Sequence, residues 1–206
     1  MFALVDKSDN SITRMYNGNK GITIGDNQYP RAIFSLWTES ERNAINIYTV
    51  TIDESKRKDE QWYINTNITY SFDGTNATGS YGDATAKAHA DTTWTQEQID
   101  DGDAPDGADT DTVAVEGFKT KLIRTVKSQA EGELNRTDWY ITRKAEKNTA
   151  RPSAITTHRD AVRSKQAAME TAITNASDTP ALETLYTYTR QEDGSLTRPL
   201  GVIPTL

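Results

Sequence analysis

The chain contains no cysteine. Disulfide staples, thiol nucleophiles and cysteine-ligated metal centres are therefore excluded. A small secreted domain without staples would be unusual, so the composition points to synthesis in a reducing compartment. Histidine is nearly as scarce, with His89 and His158 alone. Neither has a second imidazole or an acidic partner at metal-ligand spacing, and two unsupported histidines give little material for a nucleophilic triad. No run of about 18 apolar residues exists, so no membrane span is expected. Met1-Phe2-Ala3-Leu4-Val5-Asp6 lacks the basic and apolar regions of a signal peptide. No dense basic patch is present to offset phosphate repulsion, and nucleic acid is not an expected partner.

Strong apolar side chains are also few. Leu, Ile, Val and Phe number 35 of 206 residues, below the level at which a self-sufficient core is comfortable. Four Trp and nine Tyr supply the larger burial units. Small modules with thin cores follow, relying in part on a partner for burial.

What acidity there is lies in one place. The net charge is -7, yet residues 83–112 carry nine acidic side chains and one basic one. Residues 1–82 and 113–206 are close to neutral by comparison. The run Asp100-Asp101-Gly102-Asp103-Ala104-Pro105-Asp106-Gly107 has neither helical nor strand periodicity and predicts a solvated linker. It is not a calcium loop. Counting from Asp101, Pro105 and Asp106 fall at positions five and six, where an oxygen ligand and glycine are needed, and the terminal Glu is missing. Gly18, Gly21 and Gly25 lack the helix and Lys-Ser/Thr that a phosphate loop requires. No cofactor and no metal are expected.

On either side of this stretch the patterning differs. Phe2–Val5 and Ile12–Tyr16 flank turn formers and predict a hairpin. Thr38-Glu39-Ser40-Glu41 has capping-box spacing and predicts a short helix from Thr38, ending within Asn43–Asn46. Ile47, Thr49 and Thr51 should share one face of the next strand, with Tyr48, Val50 and Ile52 on the other. Trp62–Ile64 and Ile68–Phe72 predict two more strands, the second closed by an Asp73-Gly74 turn. C-terminal to the acidic run, Val115, Phe118, Leu122, Val126, Ala130 and Leu134 make one helical stripe. Asp138 can cap a short helix, Pro152 starts a long one, and Ile155, His158, Val162, Met169 and Ile173 form its stripe. The fold class is therefore α+β. A small, mostly antiparallel β module with one short helix (1–82) leads through the acidic linker (83–112) to a helical hairpin with an extended tail (113–206).

The chemistry-bearing cluster is C-terminal. Trp139 and Arg143 are four apart and can make a cation–π pair on a helix face. Arg159 and Arg163 form a guanidinium row for which Asp138, Glu146 and Asp160 are candidate partners, and His158 suits a helix–helix contact. A helical hairpin locked by one tryptophan and a few ion pairs accounts for these residues, with Trp139 buried as its anchor; partner binding through the same surface is the alternative. The tail from Leu196 to Leu206, broken by Pro199 and Pro204, is apolar enough to need covering. A neighbouring subunit is the favoured cover. Candidate interface residues are thus Trp139, Arg143, His158, Arg159, Arg163, Leu200, Val202 and Ile203.

Thr137-Asp138-Trp139, then Arg143, Pro152, His158-Arg159 and Arg163, resemble the C-terminal region of phage tail-fibre assembly proteins and related tail proteins. The N-terminal run Tyr29-Pro30, Phe34, Trp37, Thr38-Glu39-Ser40-Glu41-Arg42 and Ile47-Tyr48-Thr49-Val50 is similar to theirs too. His158 stands where an aromatic residue is common in that group, and Asn46 where glycine is. The resemblance skips the acidic stretch. It implies a non-enzymatic protein of a bacteriophage tail that attaches or helps assemble fibres at the tail or baseplate, located in the virion in several copies after synthesis in the host cytoplasm. Its partners would be fibre or baseplate proteins. The alternatives are a cytoplasmic assembly chaperone that leaves the particle and, further off, a hydrolase built on a carboxylate pair.

Overall fold

The computed structural model describes residues 1–206, and the chain divides into two compact units, Met1–Thr85 and Ala86–Leu206. Strands dominate the first and helices the second, so the fold class is α+β.

In the first unit, β1 (Phe2–Asp6) and β2 (Ser11–Tyr16) form the expected hairpin. The Asp6 and Asp9 carboxylates accept the backbone N–H groups of Ser8 and Ser11, which closes the turn. A second hairpin, β3 (Ile22–Ile24) with β4 (Asn27–Tyr29), folds about Gly25-Asp26. A 3₁₀ turn at Arg31–Phe34 leads to α1 (Glu39–Ala44). Its capping box is complete. The Glu41 N–H donates to the Thr38 hydroxyl, and the Thr38 N–H donates to the Glu41 carboxylate at 2.7 Å. After α1 the chain reverses through Asn46 at φ 60°. Glycine takes that left-handed conformation freely and asparagine tolerates it, so Asn46 keeps a backbone that glycine would also supply.

Next come β5 (Ile47–Asp53), β6 (Tyr63–Ile64), β7 (Thr69–Phe72) and β8 (Ala77–Ser80). The main sheet has the order β2-β1-β5-β8-β7. All its pairs are antiparallel except β5 with β8, which run parallel. One face gathers Ala3, Val5, Tyr48, Val50, Phe72 and Ala77, with the Tyr48 and Phe72 rings 4.5 Å apart. The other carries Ile22, Ile33 and Ile47, ringed by Phe2, Leu4 and Trp37. Strand β5 alternates between them as its sequence pattern requires.

The second unit begins well before residue 113. Following β9 (Thr85–Ala86), β10 (Thr92–Thr93) pairs antiparallel with β11 (Val113–Val115). Between them lies α2 (Gln96–Asp100), capped reciprocally by Thr95 and Gln98. Then come α3 (Phe118–Asn135), α4 (Asp138–Lys147), α5 (Ser153–Asn175), α6 (Thr179–Tyr186) and the hairpin β12 (Thr189–Arg190) with β13 (Leu196–Thr197).

The expected division at 82/83 and 112/113 therefore needs correction. The acidic stretch is not a linker between modules but an arm of the second unit, and its stem is docked. The Phe118 and Lys119 N–H groups donate to the carbonyls of Ala88 and His89 at 3.0 and 2.9 Å. The Thr179 hydroxyl, buried at the start of α6, donates to the Lys87 carbonyl at 2.6 Å. The Asp91 carboxylate accepts from the Gly117 N–H at 2.7 Å and the Thr120 hydroxyl at 2.8 Å. These bonds fill donor positions that the first turn of α3 leaves open. Gly117 is required at this point, because a Cβ there would stand 2.2 Å from the Ala90 carbonyl carbon. Only the arm's outer part, largely exposed between Asp101 and Asp111, matches the solvated loop read from sequence.

Docking of the stem should weaken in acid. The bonds from Gly117 and then Thr120 hold the Asp91 carboxyl below its ordinary value. A carboxyl depressed in the folded state stabilises that state above its unfolded value, about 3.9. That contribution is lost as pH falls through the lower folded value. Amide exchange at Gly117 should therefore accelerate as the pH drops below about 4. In Asp91→Asn the acceleration should already be present at neutral pH, and identical exchange in the two proteins at all pH values would refute the assignment.

Candidate interaction surface

The second unit is built on two long helices. Lys127 of α3 pairs with Glu170 of α5 at 3.8 Å, while Leu134, at the end of α3, meets Arg159 nearer the start of α5. The two helices therefore run antiparallel. Val126 and Ala130 face Ile155, Val162, Met169 and Ile173 in the buried stripes.

Where α3 breaks, one guanidinium joins three elements. Arg159 is 6% exposed, and its Nη1 lies 2.7 Å from the Leu134 carbonyl, the Thr137 hydroxyl and an Asp138 carboxylate oxygen. Thr137, also buried, donates its own hydroxyl to the Leu134 carbonyl at 2.9 Å. Asp138 is thus the Arg159 partner that the sequence proposed, although it is the first residue of α4 and Thr137 takes the cap position. Arg163 pairs locally with Asp160 at 3.3 Å, and no ion pair forms between Glu146 and either arginine.

Trp139 departs from its expected burial. It is 52% exposed. Its ring lies against Tyr140, with centroids 3.7 Å apart, and the Arg143 guanidinium sits 4.7 Å from the Trp139 centroid and 5.3 Å from that of Tyr140. The cation–π pair is present, but on an outer surface. The reason is spacing: the Asp138–Arg159 bond turns the Asp138 side of α4 inward, and Trp139, one residue on, is rotated about 100° away. Trp139→Ala should therefore cost under about 1 kcal/mol, against the roughly 3–5 kcal/mol of a buried tryptophan, with unchanged helicity. A urea melt followed by far-UV circular dichroism measures the difference.

The tail also splits. Leu200 (2% exposed) and Ile203 (7%) are covered by the chain itself, whereas Val202 is 60% exposed. The Leu200 N–H donates to the Leu185 carbonyl at 3.0 Å, which ties the tail to α6. Beside it runs an open groove of about 600 Å³, lined by Ser128, Gln129, Gly132 and Glu133 of α3 with Tyr188, Arg198, Val202, Ile203 and Thr205. Arg198 donates from Nε to the Gly201 carbonyl, and its guanidinium lies 5.0 and 5.3 Å from the Tyr186 and Tyr188 ring centroids. No carboxylate pairs with it. Burial pushes the Tyr186 hydroxyl above its usual value, against the pull of Arg198.

Of the candidate interface residues, Arg159, Leu200 and Ile203 are therefore internal, and His158 is half-buried with an Nε2 that has no hydrogen-bond partner. Trp139, Arg143, Arg163 and Val202 remain at the surface to different degrees. Tyr188 and Arg198 were missed; an aromatic and an arginine ten residues apart give no sequence signal until the β12–β13 hairpin returns one toward the other. No protein-family model, curated protein or solved structure matches the chain.

Proposed function

We propose that this chain is a structural or assembly protein of a bacteriophage tail, which attaches or helps assemble fibres at the tail or baseplate. The observation that carries this reading is the Arg159 lock. Thr137-Asp138 and Arg159, two separate parts of the tail-protein resemblance, converge on one guanidinium contact. Residues that meet in one place behave as a single structural element and not as independent short matches. The same element leaves Trp139 and Arg143 facing outward.

The groove beside the tail supplies the contact to the fibre or baseplate polypeptide. Its apolar wall of Val202, Ile203 and Tyr188 suits an extended segment, and the Arg198 guanidinium suits a carboxylate on that segment. The test uses a phage that encodes the chain, with an amber codon in the gene. Particles grown without suppression should lack fibres by electron microscopy and regain them on suppression, and Arg198→Glu should reproduce the defect. Mass spectrometry of purified wild-type particles then distinguishes a resident tail component from a chaperone that departs. Fully fibred, infectious particles from the amber mutant would overturn the proposal.

A further inference from the structure

One face of α4 has a composition found nowhere else on the chain. At 100° per residue, Trp139, Arg143, Lys147, Tyr140 and Lys144 fall within an arc of roughly 140°. Two aromatic rings and three cations thus share a surface. Arg143 lies over both rings, Trp139 is half exposed, and Lys144 and Lys147 are exposed. None of the three cations has a carboxylate within 4.0 Å.

The opposite deficit lies on the arm. From Trp94 to Thr112 it carries seven acidic side chains and no basic one. None makes an ion pair. At the arm's base, Val113 and Val115 are 47% and 54% exposed on a two-stranded ribbon. Each surface thus has unneutralised charge of one sign beside uncovered apolar area. Although both belong to the same compact unit, no hydrogen bond or ion pair links residues 94–112 to α4.

We propose that the aromatic–cationic face of α4 is the docking surface for the acidic arm of a second copy of this chain. The argument is charge complementarity: the chain carries both halves of a contact that it does not close on itself. Two different patches meet, so the contact is heterologous, and its repetition builds a ring or an open row of copies. This goes beyond the reading of tail function and stands on separate residues, so either can fail alone. A nucleic-acid strand would also suit cations interleaved with rings, but a net charge of -7 concentrated on the neighbouring arm opposes it.

The test is sedimentation velocity on the full chain across a concentration series. Self-association is expected at low salt and should be lost at about 1 M salt, where the Debye length falls to about 3 Å. Two charge reversals, Lys144→Glu with Lys147→Glu and Asp103→Lys with Asp106→Lys, should each weaken self-association at least about tenfold, or 1.4 kcal/mol. Far-UV circular dichroism confirms that each variant is folded. Mixed together, the two variants should associate with each other, which simple loss of folding could not produce. A monomer at every concentration in low salt, or association indifferent to both reversals, would overturn the proposal. So would a wild-type monomer that binds a labelled single-stranded oligonucleotide and loses it on reversal at Lys144 and Lys147, which would assign the face to nucleic acid.

Discussion

Leu200→Ala should destabilise the second unit by about 3 kcal/mol, within the 2–5 kcal/mol usual for removing a buried leucine, and lower its melting temperature on the order of 10 °C. Leu200 is 2% exposed, and its backbone is held by the Leu185 carbonyl at 3.0 Å. A cavity at that point has little means of collapsing, because Pro199 precedes it and the turn at Gly201 follows. Val202→Ala, two residues away and mostly exposed, should shift stability by under about 0.5 kcal/mol. Deleting residues 196–206 removes Leu200, Ile203 and strand β13 together and should unfold the second unit. Circular dichroism on the three variants measures the ranking. A deletion that melts like the parent, or a Val202→Ala effect equal to that of Leu200→Ala, would show the tail to be free for a partner along its whole length.

That ranking reverses what the tail's composition suggests, and the reason is physical. A run with Leu200, Val202 and Ile203 announces that something must cover it, but the order of residues does not say what. Coverage is decided by where α6 and α3 place their surfaces, which is not local information. The same limit applies to Trp139. Its pairing with Arg143 was legible because four residues fix a geometry on any helix, whereas its exposure depends on Asp138 being drawn toward Arg159. Where the signal is local, the sequence sufficed. The Thr38/Glu41 box, the alternation along β5, the start of α5 after Pro152 and the turn before β13 are contained in short windows.

The unread elements are those made by distant partners. Strand β8 reads Ala77-Thr78-Gly79-Ser80, with no large apolar residue and a glycine in the middle. It is a strand because Gly79 leaves room for Tyr70, Ile52 and Ile68, each within 3.0 Å of where a Cβ would stand. Its parallel pairing with β5 spans a connection that no turn signal describes. Likewise, the acidic arm looked like a linker because acidity and loop formers dominate it. What docks its stem is the open first turn of α3 and one carboxylate, Asp91, among many that are only solvated.

Arg159→Ala should cost about 3 kcal/mol, comparable to losing a core side chain although only polar groups are involved. In the parent one nitrogen serves the Leu134 carbonyl, the Thr137 hydroxyl and the Asp138 carboxylate, each at 2.7 Å. Alanine leaves these acceptors without that donor. The Asp138 side chain is about half exposed, so water can replace the arginine there, and this part of the loss is small. Thr137, by contrast, is 1% exposed. Each buried group left unsatisfied costs about 1–3 kcal/mol, and the methylenes of the arginine also lose their packing. Arg163→Ala is the internal control: its pair with Asp160 is exposed on both sides and should contribute only about 0–1 kcal/mol. Arg159→Lys should recover part of the loss, because an ammonium supplies charge and donors but not the planar reach of the guanidinium. Chemical denaturation of the three variants, compared through their transition midpoints at unchanged slope, gives the order. If Arg159→Ala falls no further than Arg163→Ala, the junction of α3, α4 and α5 is held by its apolar stripes alone, and the convergence that carries the tail-protein reading has no energetic weight.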